Sequence, residues 1–317
     1  MPTAGEIRDQ VARELGRRRS LGVPVAAGGV LYLLGSITMA GTLKGAPTVG
    51  LIQGLTPPLK GKANPIESPR AAEVKFISHH AFALITGSVL AGLALIALTA
   101  VLLLVLDATR FRRPQTWSAA MPLVLAGGIA LAVVSVGHQI ASAIQTHNFA
   151  VGSDHTNHAV DQALTKGTAN VVVSYVDLLA GLAFAAGMIS VMVNALRVGL
   201  LPRWLAILGM FTAVLIFLPL GGAELEIIPA FWLVATGILL LGRWPGGDPP
   251  AWAAGEARPW PTPAERRAER EGSPRPAGRS GGNAPKPQPA GAGAQLAPAP
   301  VSTGPARKRR RKRGRRG

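Results

Sequence analysis

The chain has 317 residues, no Cys, 38 Gly, 26 Pro and a formal net charge of +17, yet only 15% of its residues are charged and 5% are aromatic. Ordinary soluble domains carry about 25% charged residues. The composition therefore excludes a disulfide scaffold, a thiolate metal site and a cysteine nucleophile, and it does not suit a single soluble globular domain.

The charge is uneven. Residues 243–317 hold 17 Lys+Arg against 5 Asp+Glu, whereas residues 1–242 hold 16 against 11. Arg outnumbers Lys 25 to 8, a usage typical of a GC-rich bacterial coding sequence. The apolar residues concentrate between Gly22 and Gly242.

In chain order, residues 1–21 read as a short amphipathic helix on the cytoplasmic face. Ile7, Val11 and Leu15 recur every four residues among Arg and Glu. Six segments then meet the roughly 20 mostly apolar residues that a bilayer crossing needs. They run over 22–42, 80–106, 120–145, 170–196, 203–220 and 224–242. The first is long for a signal peptide, and Ser36-Ile37-Thr38 makes a poor cleavage site, so a retained helix is expected. The fold class is all-α: a polytopic six-helix transmembrane bundle over 22–243, followed by a disordered basic C-terminal tail over 244–317.

Lys/Arg bias near the helix ends gives the orientation. Arg8, Arg13 and Arg17 to Arg19, then Arg110, Arg112 and Arg113, then Arg197 and Arg203, all fall on the side of the tail. Loop 146–169 has only Lys166, and Glu224 and Glu226 stand beside loop 221–223. Loop 43–79 carries five cations spread over a longer connection, and its apolar run Val49 to Leu55 suits packing on the bundle. Both termini are expected in the cytoplasm. Pro24, Pro122, Pro202 and Pro229 are expected in or near first turns, where a missing N–H costs little. Trp204, with Trp232 and Trp244 flanking the last helix, suits an interfacial belt. Small residues four apart, such as Gly87/Ala91, Gly128/Ala132 and Gly181/Ala185, predict close helix contacts.

Ionisable groups inside a membrane are costly and nominate sites. His138 and Asp177 are placed seven residues from the outer ends of the third and fourth segments, hence at one level. Ser135, His138, Ser142 and Gln145 form one stripe; Asn170, Ser174, Asp177 and Gly181 form another. The stripes are expected to face each other, with Asp177 hydrogen-bonded to His138. Such a pair serves as polar glue between helices, as a proton or polar-solute path, or as part of a metal site.

All six His lie toward the outer side: His79, His80, His138, His147, His155 and His158. His155, His158 and Asp161 are weak metal candidates, because their spacing matches no zinc motif. No nucleotide fingerprint, nucleophile elbow or H-E-x-x-H is present, so no cofactor, hydrolase or kinase is nominated.

Residues 244–306 hold 14 Pro and 10 Gly and are expected to be disordered. Thr262-Pro263-Ala264-Glu265 is an isolated helix-start pattern within them. The chain then closes on Arg307, Lys308, Arg309, Arg310, Arg311, Lys312, Arg313, Arg315 and Arg316. This run suits anionic lipid, at about 1 kcal/mol per charge, or nonspecific contact with nucleic acid. No aromatic is interleaved for base stacking.

Two stretches carry a resemblance. Phe76-Ile77-Ser78-His79-His80-Ala81 enters the second segment, which leaves through Ala108-Thr109-Arg110-Phe111-Arg112-Arg113-Pro114. Arg197-Val198-Gly199-Leu200-Leu201-Pro202-Arg203-Trp204-Leu205 joins the fourth to the fifth. Over about residues 22–243 the chain resembles uncharacterised multi-pass membrane proteins of actinobacteria. The Leu-Pro-Arg-Trp-Leu hinge is widespread among membrane families, and the signature around the second segment is more particular. The resemblance implies a bacterial plasma membrane and no established activity. Two functions follow as expectations: a small transporter-like or sensory bundle around the His/Asp stripe, or a membrane anchor whose polybasic tail binds a polyanion.

Overall fold

A computed structural model describes residues 3–48, 68–218, 225–245 and 247–260. The Val49 to Leu55 run, the Thr262–Glu265 pattern and the polybasic run lie outside the described residues. The described elements are all helical. In chain order they are α1 (Ala4–Lys44), α2 (Ala71–His79), α3 (Ala81–Arg112), α4 (Ala120–Val151), the short α5 (Asn157–Asp161), α6 (Thr168–Val198), α7 (Arg203–Phe217), α8 (Ile227–Leu240) and the short α9 (Pro250–Ala254). A π-helical turn, Gln162–Lys166, joins α5 to α6. Four helices are long and apolar enough to cross a membrane: α1, α3, α4, and α6 with its preceding turns. Their outward faces remain apolar, as at Ile96, Val133, Ile144 and Leu179. Lipid satisfies such a surface and water does not.

The helices alternate in direction. One end of the bundle, here the basal end, gathers the start of α1, the end of α3, the α6–α7 turn and α9. The distal end gathers the starts of α3, α6 and α8. α1 packs along α3 and α8, α3 along α4, and α4 along α6. Absent side chains permit these approaches. A Cβ on Gly29 would lie 2.5 Å from the Ala230 carbonyl oxygen, and one on Gly35 would lie 2.6 Å from that of Gly87. The core between the helices holds Leu98, Leu102, Phe184, Met188, Met192 and Trp232. Trp232 is fully buried and its indole N–H donates to the Leu205 carbonyl at 2.9 Å. It therefore does not belong to an interfacial belt, whereas Trp204 and Trp244 stack at 5.5 Å beside it in sequence order.

Three expectations change at the basal end. First, residues 1–21 are no separate helix. α1 is continuous for 41 residues, opened by a Thr3/Glu6 capping box, and Pro24 sits inside it. Second, its buried face is polar. Leu15 is exposed, while Gln10, Glu14 and Arg18 are buried. Both stripes repeat every four residues, and ion pairing selects between them. Arg112 of α3 forks onto Glu14, with Nη1 2.8 Å from Oε1 and Nη2 2.7 Å from Oε2. The two side chains are 0% and 3% exposed. Gln10 donates to the same carboxylate at 3.0 Å.

Third, the ordered chain continues past 244. Trp252 of α9 is buried, its N–H donates to the Leu200 carbonyl at 2.8 Å, and both Arg18 and Arg112 lie over its ring. Arg18 also donates to Leu239 O and pairs with Asp248 at 3.1 Å. Trp260 donates to Leu201 O at 2.9 Å, and the Arg258 amide donates to Val198 O. Segment 247–260 is thus a strap across the α6–α7 turn. It satisfies carbonyls that a helix end leaves without partners. At Gly199 the backbone is left-handed (φ +84°), and a side chain there would collide with Arg258 O.

Two outcomes check this account. Arg112→Ala leaves Glu14 buried and unpaired and is expected to cost about 3–5 kcal/mol, while the pair Glu14→Leu/Arg112→Met recovers most of that loss. Thermal unfolding of the purified variants in detergent measures both, and a double variant as unstable as the single one contradicts the ion-pair assignment. Truncation after residue 262 is expected to leave the melting temperature unchanged. Truncation after residue 246 removes a buried Trp and is expected to cost about 3–5 kcal/mol.

Candidate functional site

α7 and α8 are short, at 15 and 14 residues, and beside their distal ends the six apolar helices enclose a cavity of about 430 Å³. Each helix contributes to its wall. α4 supplies Ser135, His138 and Gln139; α6 supplies Ser174 and Asp177; α3 supplies Ser88. α1 supplies Tyr32 and Ser36, and Glu226 stands just before the start of α8. Leu95, Leu131 and Pro229 form apolar wall between them.

The register of α4 against α6 explains the placement. Gly187 lies against Val124 and Gly127 against Phe184 toward the basal end, while Asn170 meets Gln145 toward the distal end. That antiparallel spacing sets His138 opposite the Ser174–Asp177 turn. The two polar stripes therefore confront each other, but they divide into two layers. Ser135, His138, Ser174 and Asp177 line the cavity. Asn170 instead pairs its amide with that of Gln145 at 2.9 Å and reaches the Ala163 carbonyl at 3.4 Å. Ser142 does not line the cavity; its carbonyl accepts from Thr146 at 2.8 Å.

The Gln145 amide fits better reversed, with its nitrogen facing the Gln162 and Ala163 carbonyls. The Asn170 oxygen is buried without a partner. Each such interhelical bond contributes about 0.6–2 kcal/mol. This distal layer is polar glue.

No hydrogen bond joins Asp177 to His138. Both face the same space, and neither side chain has a hydrogen-bonding partner among the described residues. The one carboxylate of the cavity with a partner is Glu226, whose Oε2 accepts from the Ser36 hydroxyl; that hydroxyl also lies 3.0 Å from the Tyr32 carbonyl oxygen. Glu226, Tyr32 and Ser36 are the site residues the sequence reading missed. Their signal was present: an acidic residue at the first turn of an apolar run, and a Tyr and a Ser four apart inside another.

The His155/His158/Asp161 group is not assembled. His155 turns toward the end of α4, with Nε2 3.2 Å from Phe149 O and its ring edge-on to Phe149 at 5.0 Å. Asp161 pairs with Lys166 at 2.8 Å. Asp154 accepts from the Thr156 amide at 2.9 Å, and that N–H holds its carboxyl below the usual carboxylate range. These contacts build the turn between α4 and α5. Among the described residues, no three His, Asp or Glu side chains gather to hold a metal ion. His80 ends α2 by stacking on Phe76 at 4.0 Å, marking the break before α3.

Chemically, the cavity offers two carboxylates, one imidazole and several hydroxyls within an apolar bundle. It presents carboxyl, imidazole and hydroxyl groups for hydrogen bonding and, among the described residues, no positioned nucleophile–base pair. No family model, no curated protein and no solved structure matches the chain.

Proposed function

We propose that the chain is a six-span protein of a bacterial plasma membrane, with both termini cytoplasmic, that binds a small polar solute in its distal cavity as a transporter-like or sensory bundle. The observation that carries this reading is the convergence of Asp177, Glu226 and His138 on one cavity from three different helices. Polar glue consumes its hydrogen-bonding groups in pairs, as Asn170 and Gln145 do. Asp177 and His138 are left facing open space. With two carboxylates in the wall, the matching solute presents hydrogen-bond donors or a positive charge.

Packing of α7 along α6 and of α8 along α1 supports counting the two short helices as spans. α7 and α8 rise about 22 and 21 Å at 1.5 Å per residue, short of a 30 Å hydrocarbon core. Their basal ends are level at the Trp204/Trp244 stack, so the shortfall falls at the distal side, beside the cavity. The basal end is taken as cytoplasmic because it collects the Arg of the N-terminal segment, of the α3–α4 loop and of the α6–α7 turn. The resemblance to actinobacterial multi-pass membrane proteins supports the same compartment.

The natural absence of Cys makes the topology directly measurable. A Ser153→Cys variant is expected to react with a membrane-impermeant maleimide in intact cells, and Ser118→Cys only after permeabilisation. The opposite pattern inverts the orientation. For the cavity, a thermal-shift screen of small amines and neutral polar solutes is expected to find ligands that stabilise the wild-type protein. Asp177→Asn or Glu226→Gln is expected to abolish the shift while leaving the unliganded melting temperature within about 1 kcal/mol of wild type. Ligand shifts that survive both substitutions remove the cavity from the account. The competing anchor reading makes the run Arg307 to Arg316 the functional part. Under it, deletion of residues 263–317 abolishes any cellular phenotype that Asp177→Asn leaves intact.

A further inference from the structure

A second concavity lies at the basal end, on the outer surface between α1, α3 and the first turn of α4. Its volume is about 630 Å³. Leu21, Ala100, Leu103, Leu104 and Met121 form an apolar floor, and Arg17, Ser20, Asp107 and Arg110 form its basal rim. From Ala100 to Arg110 the groove follows α3 for about 15 Å, half the thickness of a hydrocarbon core.

We infer that this groove is a binding site for one anionic phospholipid of the basal leaflet, with its phosphate held by Arg17 and Arg110 and an acyl chain laid along Leu103 and Leu104.

Charge and shape both point to that occupant. Arg17 pairs with Asp107 at 2.8 Å through one nitrogen, and its side chain is 62% exposed. Its remaining N–H groups have no hydrogen-bonding partner among the described residues. Arg110 is steadied by the Ser118 carbonyl at 3.0 Å and by the Met121 sulfur at 3.4 Å, which aim its guanidinium along the rim. Guanidinium groups match phosphate oxygens in a two-pronged geometry. The rim carries two cations and one anion, a surplus of one positive charge that suits a headgroup of net negative charge. A zwitterionic headgroup would add a cation to that rim. A free phosphate would leave the leucine floor unused, and that floor opens on the bilayer side of the helices. Arg112, two residues beyond Arg110, is committed to Glu14, so the rim guanidinium groups are not spare members of the buried network.

The test uses the full chain in phosphatidylcholine nanodiscs doped with a phospholipid bearing a photoactivatable group on its acyl chain. The probe headgroup is phosphatidylglycerol in one arm and phosphatidylcholine in the other, and crosslinked peptides are mapped by mass spectrometry. Labelling of the peptide containing Leu103 and Leu104 is expected to favour phosphatidylglycerol. The preference is expected to fall about fivefold for each cation removed in Arg17→Gln and Arg110→Gln. Asp107→Asn frees Arg17, raises the rim surplus by one, and is expected to increase the preference. Mapping by peptide separates this site from any lipid held by the polybasic tail, and Asp107→Asn separates it from a loss of folding. Equal labelling by the two headgroups, or a phosphatidylglycerol preference unchanged in all three variants, overturns the proposal.

Discussion

The bundle depends on the buried ion pair between Glu14 and Arg112. An ion pair taken out of water costs more in desolvation than a surface pair ever returns, and it survives only when its remaining donors and acceptors are satisfied. Here they are. Arg112 also donates to the Ala108 and Ala251 carbonyls, at 2.8 and 3.1 Å, and Gln10 completes the Glu14 carboxylate. Trp252 lies beneath both Arg18 and Arg112, so the strap is fastened by the same cations that hold α1. Three parts of the chain far apart in sequence, α1, the end of α3 and the strap, thus share one polar centre. Its contribution is to register more than to stability: apolar side chains of equal size would hold the helices together but would not select one rotation of α1.

That rotation reaches the opposite end of the molecule. Tyr32 is eighteen residues beyond Glu14, and Ser36 eighteen beyond Arg18. Eighteen residues are five full turns of an α-helix, so Tyr32 and Ser36 stand above Glu14 and Arg18 respectively, about 27 Å away. Glu14 and Arg18 therefore set the direction in which Tyr32 and Ser36 point. A separate, hinged N-terminal helix would lose this coupling, and the passage of α1 through Pro24 without a break preserves it. The Gly29 and Gly35 approaches then hold the axis close enough to α8 and α3 for Ser36 to reach Glu226.

Much of this was legible from residues alone, because lipid imposes simple patterns. Spans of apolar residues, close-packing glycines such as Gly87 and Gly128, and the turn before Pro202 are local signals: four of the spans form helices long enough to cross a membrane, and those glycines lie against neighbouring helices. Two features were hidden because they depend on partners far away in the chain. The N-terminal repeat of four allowed an apolar stripe or a polar one, and only the presence of Arg112 decides between Leu15 and Glu14. The strap reads as Pro/Gly-rich tail by composition. Trp252 and Trp260 make it ordered, and they do so by meeting carbonyls of Leu200 and Leu201 that no local rule connects to them. Glu226 was read as a topological mark for the same reason: its partner Ser36 lies 190 residues away.

The two ends of the bundle differ in how they treat polar groups. At the basal end the strap closes over the α6–α7 turn, and Glu14, Arg18 and Arg112 are buried against partners, Arg18 Nε excepted. At the distal end α7 stops at Phe217 and α8 begins at Ile227, while α4 and α6 continue beyond them. His138 and Asp177 stand on the faces of α4 and α6 that line the cavity beside those ends. A polar residue there can hydrate or take a ligand, and the bundle loses little by carrying it. The cavity and its ionisable lining are therefore one feature: the space is what makes a carboxylate and an imidazole tolerable between apolar spans.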